Sequence, residues 1–227
     1  LNEDGWVLTD DQKLLLSMDS MYLRFLRGRK WNVDAAYDMY IKTSLWRKSF
    51  QNIGVEGVTE ETVENELKSG KCFMYEYDKN DRTVIYIRPR LHDPNESQVE
   101  EAERFVVFWT EMGRKLLKPG VETSLVIYDM NGFGLKNMDY TQVKKQIHIL
   151  ESYYPESMGQ TLIVNSPWLF SACWKVIKGW IDPVAASKIK FINMDELKEY
   201  VDEDKLLEDY GGKDPYKFEY QTVKERE

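Results

Sequence analysis

The stretch from Asn165 to Phe191, NSPWLFSACWKVIKGWIDPVAASKIKF, constrains the fold of this chain more than any other. Ser166-Pro167 reads as an N-cap followed by a first helical position, and Asp182-Pro183 as a second start of the same kind. A helix from about Pro167 to Ile181 is therefore expected. Along it Leu169, Phe170, Ala172, Cys173, Trp174, Val176, Ile177, Trp180 and Ile181 spread over roughly 200° of the circumference. An ordinary surface helix needs an apolar stripe only about half that wide. Two readings stand. Either this is a core helix covered on two sides, or it is a lid over a lipid cavity whose outer face can meet a bilayer.

The chain before Lys71 carries helical patterns only. Leu14 to Leu26 is apolar at helical spacing and stops at Gly28, read as a C′ glycine. Asn32 caps a helix through about Phe50, and residues 56–70 read as a short acidic helix. From Lys71 the pattern changes. Lys71–Tyr77 and Arg82–Arg88 are strands joined by the turn Asp78-Lys-Asn-Asp81. Then come a helix over Ser97–Lys118, a strand over Ser124–Met130, a helix over Tyr140–Tyr153, and a strand over Thr161–Asn165. The apolar helix and a strand over Lys188–Asn193 follow. Strands alternating with helices imply βαβ units and a mostly parallel sheet. The expected fold is α/β, with a helical N-terminal lobe over 1–70, a sheet-containing lobe over 71–217, and a polar tail over 218–227. Residues 195–209 read as an acidic helical segment.

The signals for chemistry are few. His92 and His148 are the only histidines and lie far apart, and no nucleophile elbow, phosphate-binding loop or zinc spacing appears. Asn131-Gly-Phe-Gly134 holds two glycines of a dinucleotide fingerprint, but Asn137 stands where the third belongs. No catalytic residue, metal ligand or cofactor is expected, and the chain reads as a non-enzyme. A net charge of −8 argues against nucleic acid as a partner. No run reaches the ~18 apolar residues of a membrane span, and no signal-peptide pattern opens the chain. It begins at Leu1 rather than Met, so a trimmed start is expected. Two cysteines make no disulfide framework and point to a reducing, cytoplasmic compartment.

Three separated segments together are more specific. They are Leu23-Arg-Phe-Leu-Arg-Gly-Arg29-Lys30-Trp31, Tyr153-Tyr-Pro-Glu156-Ser-Met-Gly159 and Trp180-Ile-Asp182-Pro-Val-Ala-Ala-Ser-Lys188-Ile. In this order they resemble the CRAL-TRIO family of lipid-transfer proteins, in particular its phosphatidylinositol-transfer branch, the homologues of the fungal secretory phosphatidylinositol/phosphatidylcholine carrier. The resemblance runs from about residue 12 to 217. It implies a cavity floored by the sheet and gated by the apolar helix, with Trp168, Phe170, Trp174, Ile177 and Trp180 on the gate. The tryptophans are either ordinary packing or interfacial anchors.

Carried over, the headgroup site would be Arg29, Lys30, Glu156 and Lys188, with amides of the short helix started by Asp182 as further donors for an anion. A phosphodiester suits a fixed cation, which Arg engages with parallel hydrogen bonds, and a carboxylate accepts from inositol hydroxyls. Without the resemblance Glu156 reads as a loop carboxylate, Lys188 as a solvent-facing strand residue, and the basic run as a solvated face. Two departures stand out. Ala185 replaces the headgroup Thr of relatives. Of the residues that hold phosphatidylcholine, Ser124 is matched, but Val126 replaces a Thr and Ile85 a Tyr. Ser124, Val126, Ile85 and the adjacent Tyr86 are expected to line the cavity for a second ligand.

The function so implied is transfer of phosphatidylinositol, one lipid at a time, between membranes. The protein would be a cytoplasmic monomer that meets membranes transiently and carries a second hydrophobic lipid in the same cavity. The alternatives are a carrier for a neutral isoprenoid or sterol-like lipid, and a lipid-sensing module that presents phosphoinositide to a kinase or protein partner.

Overall fold

The computed structural model describes residues 19–222 and Glu225. The order is α1 (Asp19–Gly28), α2 (Val33–Ser49), α3 (Glu64–Lys68), β1 (Cys72–Tyr77), β2 (Thr83–Ile87), α4 (Val99–Lys115), β3 (Ser124–Asp129), α5 (Tyr140–Tyr153), β4 (Met158–Val164), α6 (Phe170–Lys178), α7 (Pro183–Ser187) and β5 (Ile189–Phe191). Side-chain caps set several starts. Asn32 accepts from Ala35 N at 2.9 Å to open α2, and Asp139 accepts from Gln142 N at 2.9 Å to open α5. The β1–β2 turn closes on Asp78, whose carboxylate accepts from Asn80 N and Arg82 N and pairs with the Arg82 guanidinium.

The five strands lie in chain order, β1 antiparallel to β2 and the rest parallel. Parallel crossovers are right-handed almost without exception, so strands added always on the same side bring all their crossover helices to one face. Helices α4, α5 and α6 accordingly cover one face. On the other, Phe73, Val84, Tyr86, Leu125, Ile127, Leu162 and Val164 form a closed core with Leu197, Val201, Leu206, Leu207 and Tyr210. That cover was expected to be a helix over 195–209. It is instead two 3-10 turns, Met194–Glu199 and Glu208–Tyr210, because its apolar residues are anchored singly into the sheet.

Other boundaries moved for local reasons. Of the expected first helix, residues 14–18 lie outside the described residues. Gly28 still belongs to α1, and the left-handed residues that turn the chain are Lys30 and Trp31, at φ 51° and 65°. The helix expected over 167–181 is α-helical only over Phe170–Lys178. Ser166 makes no cap bond, and bonds of the i→i+3 kind, such as Phe170 N to Pro167 O and Trp180 N to Ile177 O, extend it as tight turns at both ends. Residues 56–70 divide into a 3-10 turn and the five-residue α3. Strand β4 starts three residues earlier than expected and β5 spans only three residues. The segment from 218, expected to be a polar tail, is held by Phe218, which stacks on Phe73 with ring centroids 4.7 Å apart.

Candidate functional site

On the helix-covered face, strand register aligns two rows across the sheet. One is Met74, Ile85, Val126, Thr161 and Ile189; the other is Cys72, Ile87, Tyr128, Ile163 and Phe191. In a parallel sheet packed under helices such residues should be closed to solvent. Ile85, Ile87, Val126 and Tyr128, all on the inner strands β2 and β3, are only half-buried. Tyr128 is the clearest case. Burial pushes its phenol up to about 12, yet its side chain keeps accessible surface. Its phenol thus sits in apolar surroundings that are not fully packed, beside the Phe170 cluster, while Ile85 and Ile87 border the Phe105–Phe108 cluster of α4. The incomplete packing of these rows under the helices marks an apolar gap between sheet and helices.

Ser124, Ile85 and Val126 belong to this face. Val126 stands opposite Ile85 in register, and a Cβ on Gly113 of α4 would lie 3.6 Å from Ser124 Oγ and 3.7 Å from Ile85 Cδ1. Tyr86, expected beside them, does not line the gap. Side chains alternate along a strand, so Tyr86 points to the opposite face, where it is fully buried between Phe73 and Tyr210.

The gap is roofed at one end by α6. Phe170, Cys173 and Ile177 are buried against Met130, Phe133 and Ile163, with Tyr128, Val143 and Ile147 around them. Trp174 packs edge-on against Phe191 at 5.3 Å and Trp180 against Tyr140 at 5.8 Å. Trp168 is 88% exposed, and Val176 is exposed on the same outer side as Lys175 and Lys178. The wide apolar arc thus splits into an inner face that closes the gap and an outer apolar strip in water.

At the opposite end of the strands lies a charged cluster. Lys188 Nζ donates to Glu156 Oε2 at 2.9 Å and to Met158 O at 3.4 Å. Lys188 closes α7 and its carbonyl accepts from Thr161 N, which fixes it at the start of β5. Glu156 sits in a left-handed turn at φ 53°. Such a backbone costs roughly 1–2 kcal/mol for a residue with a Cβ. The turn carrying Arg29 and Lys30 abuts the Glu156 turn, because a Cβ on Gly28 would fall 3.1 Å from Pro155 Cβ. Arg29 and Lys30 themselves are exposed, and among the described residues neither pairs with a carboxylate.

Asp182, expected to start a helix whose amides bind an anion, caps those amides itself. Its Oδ1 accepts from Val184 N at 2.8 Å and Ala185 N at 3.4 Å, so it occupies the amides that an anion would need. Its own amide donates to Glu151.

The residue that inspection of the sequence missed here is Arg24. It donates to Ser157 Oγ at 3.3 Å and to the Glu122 carbonyl, while Arg27 pairs with the Glu122 carboxylate. Burial and the neighbouring Arg114 lower the Arg24 guanidinium to about 10, offset in part by Glu122 and Glu156. It stays charged and brings a fixed cation beside the Glu156 turn. The signal was its place next to Phe25, the buried residue of α1, rather than the count of basic residues around it.

Residues 67–212 match the family model of the CRAL/TRIO domain. The chain belongs to the CRAL/TRIO family. Residues 2–42 match the CRAL/TRIO N-terminal domain. A CRAL-TRIO domain-containing protein of Schizosaccharomyces pombe is 41% identical over 209 residues, covering 89% of this chain and 47% of that protein. The phosphatidylinositol transfer protein CSR1 of Eremothecium gossypii is 33% identical over 211 residues, covering 88% of this chain and 48% of its own. The Sec14 cytosolic factor of Schizosaccharomyces pombe is 29% identical over 215 residues, covering 86% and 74%. This chain spans about half the length of the first two. The crystal structure of Sfh5 superposes with a TM-score of 0.75 at 19% identity, over 94% of this chain and 79% of that one, and shares its fold. The α/β architecture, a five-stranded and mostly parallel sheet under helices, is thus that of the family. Among the described residues no helix is long and apolar enough to cross a membrane.

Proposed function

We propose that this CRAL/TRIO chain is a lipid-transfer module that takes phosphatidylinositol out of one membrane and releases it into another. The observation that carries the reading is the apolar gap over Ile85, Ile87, Val126 and Tyr128, closed by a helix whose outer side exposes Trp168 and Val176 beside Lys175 and Lys178. A gap of that lining suits acyl chains, and α6 is the element whose displacement would open it. Returning Phe170 and Ile177 to water costs about 1.5–3 kcal/mol each, so the closed gate is favoured in solution. A bilayer offers those side chains, Trp168 and Val176 an apolar surface instead, which lowers the cost of opening where a lipid can be exchanged.

The charged cluster suits the headgroup. Glu156 accepts from inositol hydroxyls, Lys188 balances its charge, and Arg24, Arg29 and Lys30 bring cations for the phosphodiester. The name of the relative CSR1 supports phosphatidylinositol as cargo. On this reading the protein is no enzyme. It acts as a cytosolic monomer that meets membranes only transiently, and a second hydrophobic lipid competes for the gap. The test is movement of labelled phosphatidylinositol from donor to acceptor vesicles by the purified chain. The rate should rise in proportion to protein concentration. A chain that retains lipid without exchanging it would instead be a sensor, and one that takes up none would overturn the proposal.

A further inference from the structure

Beyond the carboxyl ends of β2 and β3 lies a cavity of about 230 Å³ walled by Arg90, His92, Asp93, Asn95, Lys136 and Asn137. It sits between the loop after β2 and the loop after β3. The Glu156–Lys188 pair is at the other end of β3, about 16 Å away along that strand. The two loops are tied together from within. Asn137, itself buried, donates from Nδ2 to Arg90 O at 3.2 Å and to His92 O at 2.9 Å, and its Oδ1 accepts from Gly134 N at 3.0 Å. Gly132, at φ 73°, lets its loop close on Arg90, since a Cβ there would fall 3.3 Å from Arg90 Cδ. The cavity is therefore preformed.

What its side chains leave unspent limits what can fill it. Arg90 donates only from Nη1, to Asp129 Oδ2 at 2.8 Å, so the guanidinium edge of Nε and Nη2 has no partner among the described residues. Lys136 is exposed and makes no hydrogen bond or ion pair among them. Asp93 accepts from Asn95 N at 2.9 Å and Asn95 Nδ2 at 3.0 Å through Oδ1 alone. Those bonds hold its carboxyl below the usual range and leave Oδ2 open. His92 adds no charge, because burial and Lys71 hold its pKa down. The cavity thus offers two cations and one ionised carboxylate oxygen. Inorganic phosphate meets the cations but is repelled by Asp93. A phosphate monoester with a neighbouring hydroxyl satisfies all three groups, its phosphate accepting from Arg90 and Lys136 and its hydroxyl donating to Asp93. The volume is below the ~300–1,000 Å³ of sites for drug-sized ligands, so the ligand is small.

We propose that this cavity binds a small phosphate monoester with a hydroxyl beside the phosphate, of the glycerol phosphate kind, holding the phosphate with Arg90 and Lys136 and the hydroxyl with Asp93. The site is separate from the apolar gap and does not rest on the lipid-transfer reading. Free glycerol 3-phosphate and the headgroup of a lysophosphatidic acid share this chemistry.

The test is titration calorimetry of the purified chain with glycerol 3-phosphate and, separately, with inorganic phosphate. Glycerol 3-phosphate should bind saturably and more tightly than inorganic phosphate. Lys136→Ala, at an exposed position, should weaken that binding about fivefold. Arg90→Lys keeps the charge but loses the planar edge, and should weaken it by a similar factor. Asp93→Asn removes both the repulsion of phosphate and the acceptor for the hydroxyl. The preference for glycerol 3-phosphate over inorganic phosphate should then shrink about fivefold. Absence of saturable binding overturns the proposal. So does binding that neither Lys136→Ala nor Arg90→Lys weakens, and so does a preference that Asp93→Asn leaves intact. Vesicles of phosphatidylcholine with lysophosphatidic acid identify the source. If they displace bound glycerol 3-phosphate where pure phosphatidylcholine vesicles do not, the occupant is a lipid headgroup. If they do not, it is the free ester.

Discussion

Lys188 Nζ lies 2.9 Å from Glu156 Oε2, joining residues 32 apart in sequence into one ion pair whose side chains are 27% and 30% exposed. Pairs at that exposure contribute only about 0–1 kcal/mol to stability. Two left-handed turns are built around this spot, at Lys30-Trp31 and at Glu156, each at a backbone cost that the ion pair does not repay. Strain held beside a weak ion pair makes structural sense if the geometry serves a ligand.

The first prediction follows from that weakness. Glu156→Ala and Lys188→Ala should each lower the melting temperature by no more than about 4 °C, the equivalent of ~1 kcal/mol for a domain of this size. Transfer of phosphatidylinositol should fall tenfold or more. Calorimetry and vesicle transfer on the same samples separate the two effects. Transfer equal to the parent's would remove both residues from the headgroup site.

A second prediction concerns the gate. Trp174 and Trp180 are engaged by Phe191 and Tyr140, whereas Trp168 stands 88% exposed at the start of α6. Quenching of tryptophan fluorescence by brominated lipid should therefore drop most in Trp168→Phe, and much less in Trp174→Phe or Trp180→Phe. Quenching left intact by loss of Trp168 would mean that the outer face of α6 does not meet the bilayer.

Much of this site was legible in the sequence because its signals are local. Capping pairs, the apolar arc of α6 and the motif around Glu156 each occupy a few consecutive residues. What escaped were relations that only register creates. Tyr86 and Ile85 are neighbours in sequence but face opposite sides of the sheet, and nothing in an almost wholly apolar strand marks which side is which. Asp182 looked available for a ligand until its carboxylate was seen on its own helix amides. Arg24 and Tyr128 were hidden for the same reason, since their partners Ser157 and Gln146 come from distant segments.

A third prediction is a pH dependence. His92 is held below its ordinary pKa, first by burial and then by Lys71, against the opposing pull of Glu66 and Asp139. Its Nδ1 lies 3.0 Å from Lys71 Nζ, which pairs with the buried Glu66. The folded protein therefore binds this proton less readily than the unfolded chain, whose histidine titrates near 6.5. Stability from this group is complete above that pH. It is lost as the pH falls from about 6.5 toward the lower folded pKa. Denaturant midpoints at pH 7.5 and 5.5 should fall less in His92→Gln than in the parent. Identical slopes would show that His92 does not contribute.

The last prediction joins the apolar wall to ligand choice. Ile85 and Val126 face each other across β2 and β3 inside the gap, and neither carries a hydroxyl. A choline phosphate placed there would have to leave water without partners for its phosphate oxygens. Each missing hydrogen bond to a charged group costs on the order of 1.5–3 kcal/mol, roughly 10- to 150-fold in affinity. Thr161 and Thr83 on this face spend their hydroxyls on Met158 Sδ and Leu116 O, which leaves Ser124 as the nearby hydroxyl for a ligand, so two such losses are expected unless ordered water replaces them. The parent should therefore transfer phosphatidylcholine poorly beside phosphatidylinositol. Val126→Thr adds a hydroxyl at nearly constant volume, whereas Ile85→Tyr enlarges a half-buried side chain that borders the Phe105–Phe108 cluster. The double substitution should gain phosphatidylcholine transfer at least tenfold. It leaves Glu156 and Lys188 untouched, so any loss of phosphatidylinositol transfer would report crowding of the shared gap by the tyrosine. Transfer of both labelled lipids by parent, Val126→Thr and the double variant distinguishes these effects. Strong phosphatidylcholine transfer by the parent would show that two side chains do not decide this selectivity.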